Sequence, residues 1–169
     1  VAALPGAAAG AGLSLALACD LRIASEDAFL VTAFGNVGLS GDYGVSWFLP
    51  RLVGLARAKA LLYHSPRVTA HEAERIGLVD RVFPNAPFRA EALAYATRIA
   101  HGPTATLGRM KRNLHAGLAQ SLDDSFALEA RHMIESGRDP EAREAIAAFK
   151  EKRAPNFHSD HQQQRREAT

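Results

Sequence analysis

Cysteine is nearly absent. Cys19 stands alone in 169 residues, which excludes an internal disulfide framework and agrees with a reducing, cytoplasmic setting. Neither sign of charge is in excess, because 20 Lys and Arg against 18 Asp and Glu leave a formal net charge of +2. Basic residues gather only towards the end (Lys150, Lys152, Arg153, Arg165, Arg166), and no basic stripe alternates with aromatics. Nucleic acid is therefore not an expected partner. Metal-ligand spacing is missing among the seven histidines. His158 and His161 fall in a polar tail that reads as a solvated end, and no metal is expected. One long uncharged run exists, from Val1 to Cys19. Its length admits a transmembrane helix or a secretory signal. Against both stand the lack of a basic leader and of an initiator Met, and the breaks at Pro5, Gly6, Gly10 and Gly12. A short buried strand followed by a buried helix fits the run better, so no membrane partner is expected. The missing Met also suggests a chain that begins partway through a longer protein.

What remains is a composition 47% hydrophobic and 22% charged, globular in type and large enough to bury a core. Val1 to Leu4 reads as a buried strand ended by Pro5-Gly6. Residues 6–12, all Gly or Ala, read as a loop of small side chains feeding a helix from Leu13 to Ala18. Small residues at a helix start leave backbone N–H groups free to face a ligand, where the helix dipole favours negative charge. Tight helix packing explains the same residues equally well. The run is neither a P-loop nor a dinucleotide fingerprint.

Leu21 to Ala24 and Phe29 to Thr32 read as short strands with the polar Ser25-Glu26-Asp27 turn between them. Helices are predicted from near Gly44 and over Leu55 to Tyr63. Thr69-Ala-His-Glu72 has capping-box spacing and starts a short helix that Gly77 stops. Val79 to Phe83 reads as a strand. Helices then follow over Pro87 to Ala100, Pro103 to Gly117, Ser121 to about Ser136, and from Asp139-Pro140 to near Arg153. The division expected is 1–84 for a mixed core, 85–153 for a helical region and 154–169 for a polar tail.

Residues 35–54, GNVGLSGDYGVSWFLPRLVG, hold the chemistry. A lone carboxylate, Asp42, sits among glycines and apolar residues. Burial there would raise its pKa, as suits a proton carrier at neutral pH. The alternative is a surface turn in which Asp42 caps the following helix. Tyr43 and Trp47 read as core or pocket wall, Cys19 as a small buried hydrophobe, and Ser14 as a hydroxyl bonded back to its own helical turn.

Three segments in order, GAAAGAGLSLALACDLRIAS, VGLSGDYGVSWFLPRLVG and RVTAHEAERIGLVDRVFP, resemble the enoyl-CoA hydratase/isomerase (crotonase) superfamily, as does the closing REAIAAFKEKRAPNF. The resemblance implies an α/β, ClpP/crotonase-like spiral of ββα units followed by a C-terminal helical trimerisation region, and a homotrimer or dimer of trimers. The apolar positions Ile99, Met110, Leu114, Phe126, Met133 and Ile146, more than one helix can bury, agree with a helical pack. It also implies an acyl-CoA substrate with no cofactor beyond that coenzyme A, and a thioester enolate held by two backbone N–H groups. One of these falls on Ala11, at a helix entered through Gly10. The other would lie in a segment before Val1, so the chain is expected to be a fragment, incomplete as a catalyst on its own.

By the same resemblance, the two glutamates of the hydratases fall on Ser14 and Phe34, which cannot move protons near pH 7. Asp42 matches the aspartate of dienoyl-CoA isomerases and of ring-epoxide isomerases of phenylacetyl-CoA breakdown. In 4-chlorobenzoyl-CoA dehalogenases the same position is a nucleophile. Phe34 stands where the dehalogenases have a tryptophan and the dienoyl isomerases an acid. The implied site has Asp42 and Ala11 as catalytic groups, with substrate-binding positions at Gly10, Gly12, Phe34, Gly38, Tyr43, Trp47, Phe149 and Lys152. A helix-end lysine without a ligand is the alternative for Lys152. The expected reaction is acyl-CoA isomerisation, with a hydratase-like or dehalogenase-like enzyme, or a non-catalytic acyl-CoA-binding relative, as alternatives.

Overall fold

The computed structural model describes residues 1–158, so His161, Arg165 and Arg166 lie outside the described residues. The chain divides into two compact units, Val1–Ala96 and Thr97–Thr169.

The first unit is built on two three-stranded sheets. β1 (Ala2–Leu4), β3 (Arg22–Ser25) and β6 (Arg81–Phe83) form one, in the order β1-β3-β6 and all parallel. β2 (Ala7–Ala9), β4 (Phe29–Val31) and β5 (Val68–Thr69) form the other, with β2 and β4 parallel and β4 and β5 antiparallel. Successive strands go to different sheets: β1 then β2, β3 then β4. Each ββα turn thus adds one strand to each layer, which is the spiral expected. The Ser25–Asp27 turn accordingly passes the chain from one sheet to the other and does not fold β4 back beside β3.

Residues 7–9 depart from the expected loop. Alanine has low strand propensity, but Ala7, Ala8 and Ala9 pair with Phe29, Leu30 and Val31, and Ala8 is buried. Partners more than twenty residues away decide the conformation. The helix that follows, α1 (Ala11–Leu17), starts two residues earlier than expected. It turns Leu13, Ser14, Ala16 and Leu17 inward, one face of a 3.6-residue period. α2 (Val45–Val53) does the same with Val45, Leu49 and Val53. α3 (Leu55–His64) and α4 (Ala70–Arg75) complete the packing, and Leu13, Leu30, Leu49, Leu61 and Leu78 belong to one buried cluster. Burying each such side chain contributes about 1.5–3 kcal/mol.

α5 (Phe88–Ala100), α6 (Thr104–Gly117), α7 (Leu122–Arg138) and α8 (Pro140–Glu151) follow. The caps of α7 and α8 are the residues expected: Ser121 Oγ accepts the Asp124 N–H at 3.1 Å, and Asp139 Oδ1 accepts the Glu141 N–H at 3.2 Å with Pro140 next to it. Earlier in the chain, Thr69 Oγ1 accepts the Glu72 N–H at 3.3 Å. The reciprocal half of that capping box is absent, because Glu72 gives its carboxylate to Arg75 at 2.6 Å. Of the six apolar positions expected to exceed one helix's burial, Ile99 is half-buried, while Met110, Leu114, Phe126, Met133 and Ile146 are exposed in the second unit. No helix among the described residues is long and apolar enough to cross a membrane.

Candidate active site

Gly10 turns the chain from β2 into α1 at φ 51 and ψ −122, a conformation open to glycine and strained for other residues. The first intrahelical bond of α1 runs from Ser14 N–H to Gly10 O at 3.0 Å. The N–H groups of Ala11, Gly12 and Leu13 come before it and have no acceptor within the helix. No side chain caps this end. Gly12 leaves open space around its Cα, since a Cβ there would meet nothing within 4 Å. Ser14 is fully buried and its Oγ donates to Gly10 O at 3.2 Å, as expected of a hydroxyl bonded to its own turn. That hydroxyl is committed to the helix start.

Thr32 to Gly44 is a loop held in left-handed conformations. Ala33 (φ 62), Gly38 (φ 70), Gly41 (φ 98), Tyr43 (φ 48) and Gly44 (φ 78) all have positive φ. Gly38 closes the 3-10 turn Gly35–Val37, its N–H donating to Gly35 O at 3.3 Å. Gly41 has the closest surroundings. A Cβ there would stand 2.7 Å from Val45 Cγ1 and 3.6 Å from Phe34 Cδ2. Both contacting side chains are buried. Phe34 therefore fills the space beneath Gly41, the residue before Asp42, with hydrocarbon.

Asp42 itself is exposed, which corrects the expectation of burial. The apolar content of residues 35–54 goes inward through Val45, Leu49 and Val53 at helical spacing, and the loop ahead of α2 stays outside. Asp42 is not a side-chain cap either: Gly44 is the N-cap, without a side-chain bond, and Asp42 contributes its carbonyl to Val45 N–H at 3.2 Å. Among the described residues its carboxylate has no hydrogen-bonding or ionic partner. Tyr43 (61% exposed) and Trp47 (45% exposed) are likewise not core residues. Trp47 makes an edge contact with Phe48, and the Arg51 guanidinium lies 3.9 Å from its ring centre. Cys19 is half-buried.

α1 and α2 pack against each other. Ala11 opens the first, and Asp42 lies three residues ahead of the second. Phe149 and Lys152 belong to the second unit. Phe149 is exposed, and Lys152 ends α8 in a left-handed conformation, its N–H donating to Phe149 O at 3.3 Å. No group of three or more His, Cys, Asp or Glu that could hold a metal ion occurs among the described residues. Sequence reasoning passed over Thr32 and Ser65, whose hydroxyls meet at 3.0 Å beneath this loop. A polar residue ending an apolar strand was the only available signal.

The profile of the enoyl-CoA hydratase/isomerase family matches residues 1–162. A "Probable enoyl-CoA hydratase" of Rhodobacter capsulatus is 43% identical over 157 residues, covering 93% of this chain and 61% of that protein. The 1,2-epoxyphenylacetyl-CoA isomerase of Escherichia coli is 36% identical, covering 93% of this chain and 60% of that one. The crystal structure of an enoyl-CoA hydratase/isomerase from Cupriavidus metallidurans superposes with a TM-score of 0.86 at 34% identity, over 92% of this chain and 58% of that one. The chain thus spans about three fifths of the length of the relatives it matches. It belongs to the enoyl-CoA hydratase/isomerase (crotonase) family.

Proposed function

We propose that this chain carries the proton-transfer half of an acyl-CoA isomerase, with Asp42 as the shuttle and the Ala11 N–H as one donor to the thioester oxygen. The observation that carries the proposal is the fate of the two glutamate positions. Ser14 is fully buried with its hydroxyl bonded to Gly10 O, and Phe34 is buried under Gly41. Hydration needs one group to activate water and another to deliver a proton. Neither residue can do either. Isomerisation needs only one carboxylate.

In the proposed reaction Asp42 takes a proton from the saturated carbon alpha to the thioester carbonyl of an acyl group whose double bond begins at the next carbon. The bonding pair moves towards the carbonyl, giving an enolate whose oxygen accepts the Ala11 N–H. The double bond re-forms in the new position when Asp42 returns the same proton to another carbon. A preorganised N–H at the developing oxyanion contributes about 10²–10³ in rate, and a positioned acid-base group about 10²–10⁴. Because Asp42 is exposed in the described chain, the bound acyl group has to cover it and exclude water. Val37, Leu39, Tyr43 and Trp47, exposed on either side of Asp42 in sequence, offer apolar contact for such a group. Together with Phe34 they favour a flat, unsaturated or ring-bearing acyl chain.

Coenzyme A enters as part of the substrate, with Phe149 and Lys152 proposed to touch it. The exposed apolar side chains of the second unit support a homotrimer or dimer of trimers, which sedimentation of the full-length protein checks. The deciding experiment is turnover of a panel of enoyl-CoA and aryl-CoA esters by full-length protein and its Asp42→Asn variant. Loss of isomerisation supports the shuttle, and unchanged activity rejects it. An unpartnered carboxylate also suits direct attack on carbon. Rapid-quench mass analysis separates the two, because only the nucleophile leaves an acyl adduct on Asp42. Binding of the esters without turnover or exchange of the α-proton would identify a non-catalytic acyl-CoA-binding protein.

A further inference from the structure

We propose that Thr32 and Ser65 are a positioning pair that sets the separation between the Ala11 helix start and the Asp42 loop. The proposal rests on the proton-transfer reading above and adds to it the device that holds its two halves in register. Thr32 directly follows the second-sheet strand β4 and is 3% exposed. Its hydroxyl donates to Leu61 O at 2.7 Å. With that hydrogen used, Thr32 Oγ1 can only accept in the 3.0 Å contact with Ser65 Oγ, whose single hydrogen is shared between Thr32 and Leu62 O at 3.4 Å. Leu61 O lies at the end of α3 and also takes the Ser65 N–H at 3.0 Å. Ser65 is itself buried and left-handed (φ 44). Thr32 is therefore bolted to the C-terminal end of α3 through two buried hydroxyls.

From this fixed point the backbone leads both ways into the site. On one side, Gly10 N–H donates to Val31 O at 3.1 Å, and a Cβ on Gly10 would come 3.8 Å from Thr32 O. Gly10 delivers Ala11. On the other side, Thr32 O accepts the Phe34 N–H at 2.8 Å across Ala33, whose φ is 62. A three-residue γ-turn with a positive central φ is unfavourable for a residue carrying a Cβ, and such a turn persists where its surroundings over-determine it. Gly35 is pressed against the same anchor: a Cβ there would lie 2.9 Å from Leu62 O and 3.5 Å from Ser65 Oγ. The turn delivers Phe34, whose ring supports Gly41, the neighbour of Asp42. Without the hydroxyl pair, the turn at Ala33 is free to relax and the loop carrying Asp42 to shift relative to Ala11.

A misplacement of about 1 Å in such a constellation costs up to about 10²-fold in rate. The test uses full-length protein with 3-hexenoyl-CoA as the probe, measuring isomerisation and solvent-deuterium exchange at the α-carbon. Thr32→Val, which keeps the shape and removes the hydroxyl, is expected to lower kcat about 10- to 10²-fold while KM stays within about threefold. Thr32→Ser, which restores the hydroxyl, is expected to recover kcat to within about threefold of wild type. Wild-type kcat in Thr32→Val, or a change confined to KM, overturns the proposal while an inactive Asp42→Asn leaves the shuttle standing. Should Thr32→Val not fold, Ser65→Ala decides: a kcat loss of roughly three- to tenfold supports the pair, and an unchanged kcat overturns it. Full activity of Asp42→Asn, or no turnover and no exchange by wild type, overturns the shuttle itself and with it the purpose assigned to Thr32.

Discussion

The carboxylate of Glu141 caps the start of another helix at Thr106. Glu141 lies in the first turn of α8, yet its Oε2 accepts the Thr106 N–H at 2.9 Å and its Oε1 the Ala105 N–H at 2.8 Å. α6 has Pro103 at its N-cap and no side-chain cap of its own, so a carboxylate from elsewhere supplies what the local sequence lacks. Beside it, the Arg109 guanidinium donates to Asp139 at 2.9 Å. It holds the Asp139 carboxyl below its ordinary range, with the Glu141 N–H as the second cause.

Removing that cap is expected to destabilise the second unit. Glu141→Ala leaves the Ala105 and Thr106 N–H groups at the start of α6 without their carboxylate acceptor and should cost about 2 kcal/mol. Glu141→Gln keeps an acceptor oxygen and should cost about 1 kcal/mol. Urea denaturation of the two variants checks the order, and equal losses would contradict the capping role.

A pH prediction follows from Glu144. Its carboxylate accepts Arg153 at 2.5 and 3.0 Å and the Asn156 N–H at 2.7 Å. The Arg153 guanidinium is the larger cause and the Asn156 N–H the next, together lowering its pKa from 4.5 to about 2. A carboxyl depressed in the folded state favours folding above its unfolded value, and that contribution disappears as pH falls from about 4.5 through about 2. Carboxyl-carbon NMR titration should show Glu144 turning near 2. In Arg153→Gln the midpoint should rise most of the way back, with the Asn156 N–H holding it somewhat low.

Arg22 is the buried cation of the first unit. It is 3% exposed, donating to Leu78 O at 3.0 Å and Cys19 O at 2.7 Å, while its backbone N–H meets Asp80 at 2.6 Å. Arg22→Met retains much of the volume but leaves two carbonyls unpaired and Asp80 without its cation. The expected loss is about 3 kcal/mol, a fall in Tm of roughly 6–12 °C for a chain of this size. Calorimetry measures it directly, and a fall of only a degree or two would mean that water replaces the guanidinium.

Local chemistry was legible in the sequence and remote partnerships were not. Thr69, Ser121 and Asp139 cap the helices they precede because a cap bonds within three residues. The family motifs were legible for a similar reason, as contiguous residues in a fixed order. Ala7–Ala9 could not be read as a strand from its own composition, since Phe29–Val31 makes it one. Glu141 gave no sign of serving α6. Asp42 was misjudged through its neighbours: counting apolar residues around it suggested burial, whereas helical periodicity sends Val45, Leu49 and Val53 inward and leaves Trp47 and the preceding loop outside. Thr32 was invisible for the same reason as Glu141, because its partners Leu61 and Ser65 lie about thirty residues on.

Gly41 offers the sharpest test of how the Asp42 loop is held. Two separate obstacles oppose a side chain there. Its φ of 98 is strained for any residue with a Cβ, and that Cβ would come 2.7 Å from Val45 Cγ1. Val45 is the first residue of α2 and is buried, so it cannot swing away without opening the core. Strain of this kind costs on the order of 1–3 kcal/mol, and the overlap adds to it. Gly41→Ala should therefore lower stability by about 3 kcal/mol, measured by denaturant unfolding. Pairing it with Val45→Ala separates the terms, because removing Cγ1 relieves the overlap and leaves φ unchanged. Measured against Val45→Ala alone, adding Gly41→Ala should then cost only about 1–2 kcal/mol. If it cost nothing, the backbone conformation would impose no restriction and contact alone would fix the loop. If it still cost the whole amount, the left-handed backbone would be what holds Asp42 in place.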